Sequence, residues 1–256
     1  MLRLSLLTLI LPFIVFGQQN KQSAFTIDYN YQIPNGILSE TYGNSSELLI
    51  SYFIEKPNNL FFGVETGYMF GDNINDTTIL QNIETETGSI IGSDGYYGNI
   101  NLYERGFNAY VFMGYAIHPH KSRKLFFPYL HNLAHKELSG FYISIGLGYL
   151  RHKIFIDTQN QNLPQLDEEY KQGYDKLRGG ISTKLSADYK FYSKKRNLQF
   201  SIGCNYVSAY TKNLRSYSFK DMNYSSNSKR WDQILAFKFG IIIPIHRMNT
   251  EEFHYY

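Results

Sequence analysis

Alternation of apolar and polar residues, repeated eight times, most constrains what this chain can fold into. In residues 24–33, Phe25, Ile27, Tyr29, Tyr31 and Ile33 alternate with Thr26, Asp28, Asn30 and Gln32. A strand projects successive side chains to opposite faces, so this pattern makes one apolar and one polar face. The same period recurs over 47–56, 60–70, 105–117, 141–156, 181–191, 198–208 and 234–245. The chain is therefore expected to be all-β.

A soluble sandwich would alternate as well, and the connections decide between the two. Residues 56–59 (KPNN) and 194–197 (KKRN) read as tight turns, whereas 34–46, 71–104, 157–180 and 209–233 are long. With the first strand running outward, both tight turns fall on one side and all four long loops on the other. Outer-membrane barrels show that asymmetry, and runs of about ten residues suit tilted membrane crossings. Aromatics at the run ends (Tyr29, Tyr31, Tyr52, Tyr68, Phe70, Tyr115, Phe141, Tyr149, Tyr189, Phe191) suit interfacial girdles. The expected fold is an eight-stranded antiparallel up-and-down transmembrane β-barrel with long extracellular loops.

Composition removes other classes. Tyr and Phe number 23 and 19 in 256 residues, charged residues are only 18%, and the net charge is +3. That charge, without a recognition motif, gives no case for a nucleic-acid partner. One cysteine, Cys204, excludes a disulfide framework and a multi-cysteine zinc site. Residues 4–16 (LSLLTLILPFIVF) are too short to span a bilayer as a helix and follow Arg3, so residues 1–17 read as a secretory signal. The barrel is then expected over 18–246 and a periplasmic tail over 247–256.

An eight-stranded barrel has an interior just wide enough to be filled by side chains. The inward set includes Asp28, Glu65 and Asp188 against Lys184, Lys190 and Lys238. Three acids facing three bases predict a lumen ion-pair network rather than an aqueous pore, because an unpaired charge there is costly. No catalytic constellation accompanies it. His152 and Ser144 share the inward face but stand eight residues apart on one strand, about 26 Å at strand rise, and no G-x-S-x-G elbow exists. No catalytic, cofactor-binding or metal-binding residue is assigned.

Residues 118–140 break the pattern, lying where a tight turn is expected. Pro128 suits a first helical position, and Leu130, Leu133, Ala134 and Leu138 recur at helical spacing, predicting one helical periplasmic insertion. His118, His120, His131 and His135 lie here without Cys or the HExxH glutamate, so metal binding stays open. Leu130 and Leu133 are candidate partner contacts on this amphipathic helix. So are Phe253, Tyr255 and Tyr256 of the tail, and Ile90, Ile91, Tyr96 and Tyr97, which are more apolar than a loop tip needs and suggest docking against a partner or the barrel rim. The mixed charges of 165–180 read as a solvated loop.

The chain resembles the small outer-membrane β-barrel proteins of Bacteroidota. The resemblance rests on FGQQ at 16–19, SGFYISIGLGYLRHKI at 139–154, QLDEEYKQGYDKLRGG at 165–180, and KFGIIIPIHR followed by the EEFHYY tail. It implies an outer-membrane location, lipids of that membrane as neighbours, and an OmpA/OmpX-like architecture, and it names no reaction. Asp76-Thr77-Thr78 also resembles the short O-glycosylation acceptor of that phylum. Such proteins are similar to accessory barrels of the barrel-assembly machinery and the type nine secretion system. The expected role is a non-enzymatic accessory or scaffold subunit of an outer-membrane protein biogenesis or secretion complex. The alternatives are an autonomous barrel tethering lipid or envelope components, and a lipid-acting barrel enzyme.

Overall fold

The computed structural model describes residues 22–118, 139–159, 161–192, 199–220, 222–224 and 228–245. The expected signal, the insertion helix, the 194–197 turn and the C-terminal tail lie outside the described residues. Eight long strands carry the fold: β1 (Gln22–Asn35), β2 (Ser45–Glu55), β3 (Leu60–Gly71), β4 (Asn101–Ile117), β5 (Gly140–Asp157), β6 (Arg178–Tyr192), β7 (Gln199–Asn213) and β8 (Lys229–Ile245). Each pairs antiparallel with its chain neighbour, and β1 pairs with β8, so the sheet closes into an up-and-down barrel.

The register fixes the shape of the barrel. From Asn35 the pairing runs through Gln233, Ser208, Thr183, Leu147, Val111, Val64 and Tyr52 back to β1 at Phe25, a stagger of ten residues. Eight strands with such a stagger tilt about 35–45° from the barrel axis.

Polarity is inverted relative to a soluble protein. Outward residues such as Val111, Leu147 and Ile181 are exposed by 66%, 61% and 67%, whereas the inward Asp28, Asn30 and Asp232 are buried. Outward aromatics meet near the strand ends, with ring centroids 5.0 Å apart in Phe25–Tyr52 and Phe141–Tyr189 and 5.1 Å in Tyr210–Trp231.

Several strands outrun the alternating segments that foretold them. β4 begins at Asn101 rather than 105, β7 ends at Asn213 rather than 208, and β8 begins at Lys229 rather than 234. Past the apolar band the outward face need not be apolar, so the period fades while the hydrogen-bond ladder continues. The rim therefore stands taller on β4–β8 than on β1–β3. On the opposite side, β2 turns into β3 through Lys56–Asn59, where the Asn59 N–H donates to the Lys56 carbonyl at 3.0 Å. Asn59 has φ 65°, a left-handed conformation that asparagine tolerates.

Against hydrocarbon, Leu147→Arg at mid-barrel is expected to cost about 2–4 kcal/mol. Urea unfolding of the protein refolded into phosphatidylcholine vesicles should show this, with Glu86→Arg in an exposed loop unchanged.

Candidate functional site

The barrel interior is built in layers that close it. At the tight-turn side, Phe53, Phe61, Phe112, Tyr142 and Tyr192 form an apolar floor with Ala24, Ala116 and Ile242. The Lys190 ammonium sits 3.4 Å from the Phe53 ring centroid and 4.3 Å from that of Tyr142, within cation–π range. The Tyr142 hydroxyl donates to Glu55 Oε2 at 2.8 Å, and His118 Nε2 lies 2.7 Å from Glu55 Oε1.

Above the floor, Lys184 meets Glu65 at 2.7 Å and Lys238 meets Asp188 at 2.6 Å. Asp28 accepts hydroxyl hydrogen bonds from Thr26 at 2.7 Å and Ser201 at 2.9 Å. The six charges expected to pair three against three are thus arranged differently. Among the described residues, two ion pairs form, Asp28 is held by hydroxyls, and Lys190 rests on aromatic rings because its place on β6 falls at the floor. Among the described residues, a space of about 20 Å³ lies between Thr26, Ser51, Glu65, Lys190 and Lys238, enough for little more than one water.

Lumen acids are accommodated by glycines on neighbouring strands. Gly240 stands opposite Asp28 and Gly203 opposite Asp188, and a Cβ at either would collide with the carboxylate. Glu47 passes over Gly67 in the same way. There it accepts from Asn30 Nδ2 at 2.5 Å, Gln32 Nε2 at 3.1 Å, and Asn108 Nδ2.

Beneath the outer mouth, His152 Nε2 lies 3.0 Å from Asp232 Oδ2, and Thr211 donates its hydroxyl hydrogen to that same oxygen at 2.5 Å. Arg230 Nε is 2.7 Å from Asp232 Oδ1. His152 and Asp232 are 1% and 0% exposed. The arrangement differs from a catalytic triad: the hydroxyl binds the acid instead of the second imidazole nitrogen. Sequence spacing sets His152 against Ser144 on its own strand, yet its partner comes from across the barrel.

The long loops form a structured crown over this mouth. Helix α1 (Ile37–Thr41) buries Leu38, and the following Tyr42 packs edge-on against His152 with centroids 5.2 Å apart. Ile79, Leu80, Leu163, Leu166 and Tyr174 complete an apolar core shared by three loops. Ile90 belongs to this core at 3% exposure, correcting the expectation that it offers a partner surface. Its short strand pairs Ile90 with Gly98 and Ile91 with Tyr97, turning alternate side chains inward and outward. Ile91, Tyr96 and Tyr97 are exposed, the tyrosines by 76% and 69%, as are Met222 and Tyr224 on the 214–228 loop. Leu130, Leu133, Phe253, Tyr255 and Tyr256, and His120, His131 and His135, lie outside the described residues.

Charged cross-links brace the crown. In the stretch read as a solvated loop, helix α2 (Glu168–Tyr174) is followed by Asp175, which binds Arg215 through Nε at 3.0 Å and Nη2 at 2.5 Å. Asp76, first residue of the three that resemble a glycosylation acceptor, bonds Lys176 and also Lys220 at 3.1 Å. Asn82 Nδ2 donates to the Phe219 and Lys220 carbonyls at 2.8 Å each. Burial opposes the charge of Asp76, but its hydrogen bonds from Lys176, Thr78 and Lys220 outweigh it and hold the carboxyl well below the usual carboxylate range. Sequence alternation could have placed Glu47, Asn30 and Asn108 on the inward face. No local signal joins Asp76 to lysines 100 and 144 residues away.

No family model matches the chain, and no curated protein does. Among solved structures, Neisserial surface protein A is similar at 12% identity, covering 88% of this chain and 99% of that one, with a TM-score of 0.42. Ail of Yersinia pestis is similar at 10% identity, covering 89% and 100%, with a TM-score of 0.40. A major outer membrane protein from Thermus thermophilus is similar at 10% identity, covering 87% and 99%, with a TM-score of 0.42.

Two outcomes are expected from the site. Glu65→Gln leaves Lys184 buried without its acid and should cost about 3–5 kcal/mol, whereas Glu65→Gln with Lys184→Met should recover much of the loss. Urea unfolding of the refolded barrel measures both. For Asp76, a depressed folded-state pKa means that its stabilisation is present above the unfolded carboxyl pKa, about 3.9, and is lost as pH falls below it. Asp76→Asn should therefore speed amide exchange near 76–83 and 176–177 at pH 7. Acidifying the unsubstituted protein from pH 7 to 5 should leave that exchange, corrected for its intrinsic pH dependence, unchanged.

Proposed function

We propose that this chain is a non-enzymatic outer-membrane barrel that anchors and presents a rigid loop crown, as an accessory or scaffold subunit of an outer-membrane protein biogenesis or secretion complex. The observation that carries the reading is the combination of a filled lumen with exposed aromatics on braced loops. A barrel whose described interior is this closely packed serves poorly as a solute channel, and in the buried His152–Asp232 pair the Thr211 hydroxyl is bonded to the acid rather than to the imidazole. What the fold offers is surface. Its outward band is apolar over every strand, which suits hydrocarbon. Tyr96, Tyr97, Met222 and Tyr224 stand on loops cross-linked at Asp76, Asp175 and Asn82, so a partner would meet them with little ordering cost. Tyrosine is favoured at interfaces because it joins apolar area to a hydrogen-bonding tip.

The test is photocrosslinking in native membranes, with a photoreactive phenylalanine analogue in place of Tyr97 or Tyr224 and, as control, at lipid-facing Thr183. The expected result is a discrete protein adduct from the crown positions alone. The complex purified in mild detergent should be stoichiometric and salt-resistant, and lost in the Tyr96→Ser, Tyr97→Ser, Tyr224→Ser variant. Recovery of the barrel alone, with no adduct from either crown position, would overturn the subunit role.

A further inference from the structure

Above the apolar band, the outside of the barrel carries its basic residues on one side, from β4 to β8. On β4 and β5, Arg105 stands directly opposite Lys153, and Arg151 lies two residues nearer the band. From Arg151 the register runs through Gly179 on β6 to Lys212 on β7 and Lys229 on β8. These positions follow Phe107, Tyr149, Tyr210 and Trp231, the last outward aromatics of their strands before the charges begin. At the outer ends of β1, β2 and β3 the outward residues are Asn35, Ser46 and Phe70, none of them basic, and exposed Asp72 directly follows β3.

This arrangement is unfavourable by itself. Like charges directly opposite one another on antiparallel strands repel, and Arg105–Lys153 and Lys212–Lys229 are two such pairs in one patch. Among the described residues, none of the five basic side chains pairs with a carboxylate. Asp157, four residues beyond Lys153, accepts instead from the Gln159 N–H at 2.9 Å. Aromatic rings hold some of the cations in place: Arg105 lies 5.1 Å from the Tyr103 centroid and 5.9 Å from that of Phe155, and Lys229 lies 5.5 Å from Tyr210. Gathering the charges is favourable where the surroundings supply anions. The apolar band directly beneath puts those anions at headgroup level on the loop side. From β4 to β8 the patch crosses four strand spacings, about 19 Å, wider than one phospholipid phosphate and suited to a saccharide headgroup with several acidic groups. Guanidinium groups match phosphate oxygens two by two.

We propose that Arg105, Arg151, Lys153, Lys212 and Lys229 form a binding surface for the phosphorylated saccharide headgroup of an outer-leaflet glycolipid. The inference rests on the outer-membrane reading above and names a lipid ligand for the barrel.

The test uses the folded full chain in a neutral detergent, probed with bisphosphorylated lipid A, the same lipid after enzymatic dephosphorylation, phosphatidylglycerol, and inorganic phosphate as competitor. Bisphosphorylated lipid A should bind saturably and resist millimolar phosphate. Arg105→Gln with Arg151→Gln and Lys153→Gln should weaken it by about fivefold per charge removed, and Lys212→Gln with Lys229→Gln by the same factor per charge. Gln81→Ser, on an exposed loop residue, should leave it unchanged. Equal binding of the dephosphorylated lipid, equal binding of phosphatidylglycerol, displacement by phosphate, or undiminished binding in both charge variants would each overturn the surface. Faster migration of unboiled than of boiled protein on a denaturing gel reports the barrel in parallel. A fast band without the lipid effects sinks the binding surface and leaves the membrane reading standing. No fast band from the unsubstituted chain sinks both.

Discussion

The ladder between β1 and β8 is the interaction on which the rest of the structure depends. An open sheet would leave two rows of backbone donors and acceptors unpaired, intolerable against hydrocarbon and a hazard in water. Pairing Ser23 with Ile245 through to Asn35 with Gln233 removes both edges at once. Closure with eight strands and a stagger of ten then sets the interior volume. Inward side chains cannot point into solvent and must satisfy one another.

That requirement explains the lumen. An ammonium can rest on an acid, as Lys184 does on Glu65, or on aromatic faces, as Lys190 does on Phe53 and Tyr142. An acid can take a lysine or hydroxyls, as Asp188 and Asp28 respectively do. Volume is balanced strand by strand, glycine opposite carboxylate at Gly240–Asp28 and Gly203–Asp188. With the interior committed to packing, the surfaces left for recognition are the crown and the outer rim. The taller rim on β4–β8 carries the basic patch, while the first three outer loops share one apolar core and ion pairs tie the fourth to them.

The sequence by itself determined the barrel. Period two fixes which face each residue takes, because that depends only on local backbone geometry. Hence the inward placement of Asp28, Glu65 and Lys184 was legible, as was the side on which the long connections fall. It also determined the apolar band, since the outward face follows from the same alternation. Only the tertiary structure decided who meets whom. Asp232 finds His152 across the barrel, Lys190 exchanges an acid for rings, Ile90 turns into the crown, and Asp76 reaches Lys176 and Lys220. These choices depend on stagger, curvature and loop packing, which bring together residues with no periodic relation along the chain. The basic rim is of the same kind. Its charges are visible one by one in the sequence, but their gathering into a single patch is a property of the closed, tilted register.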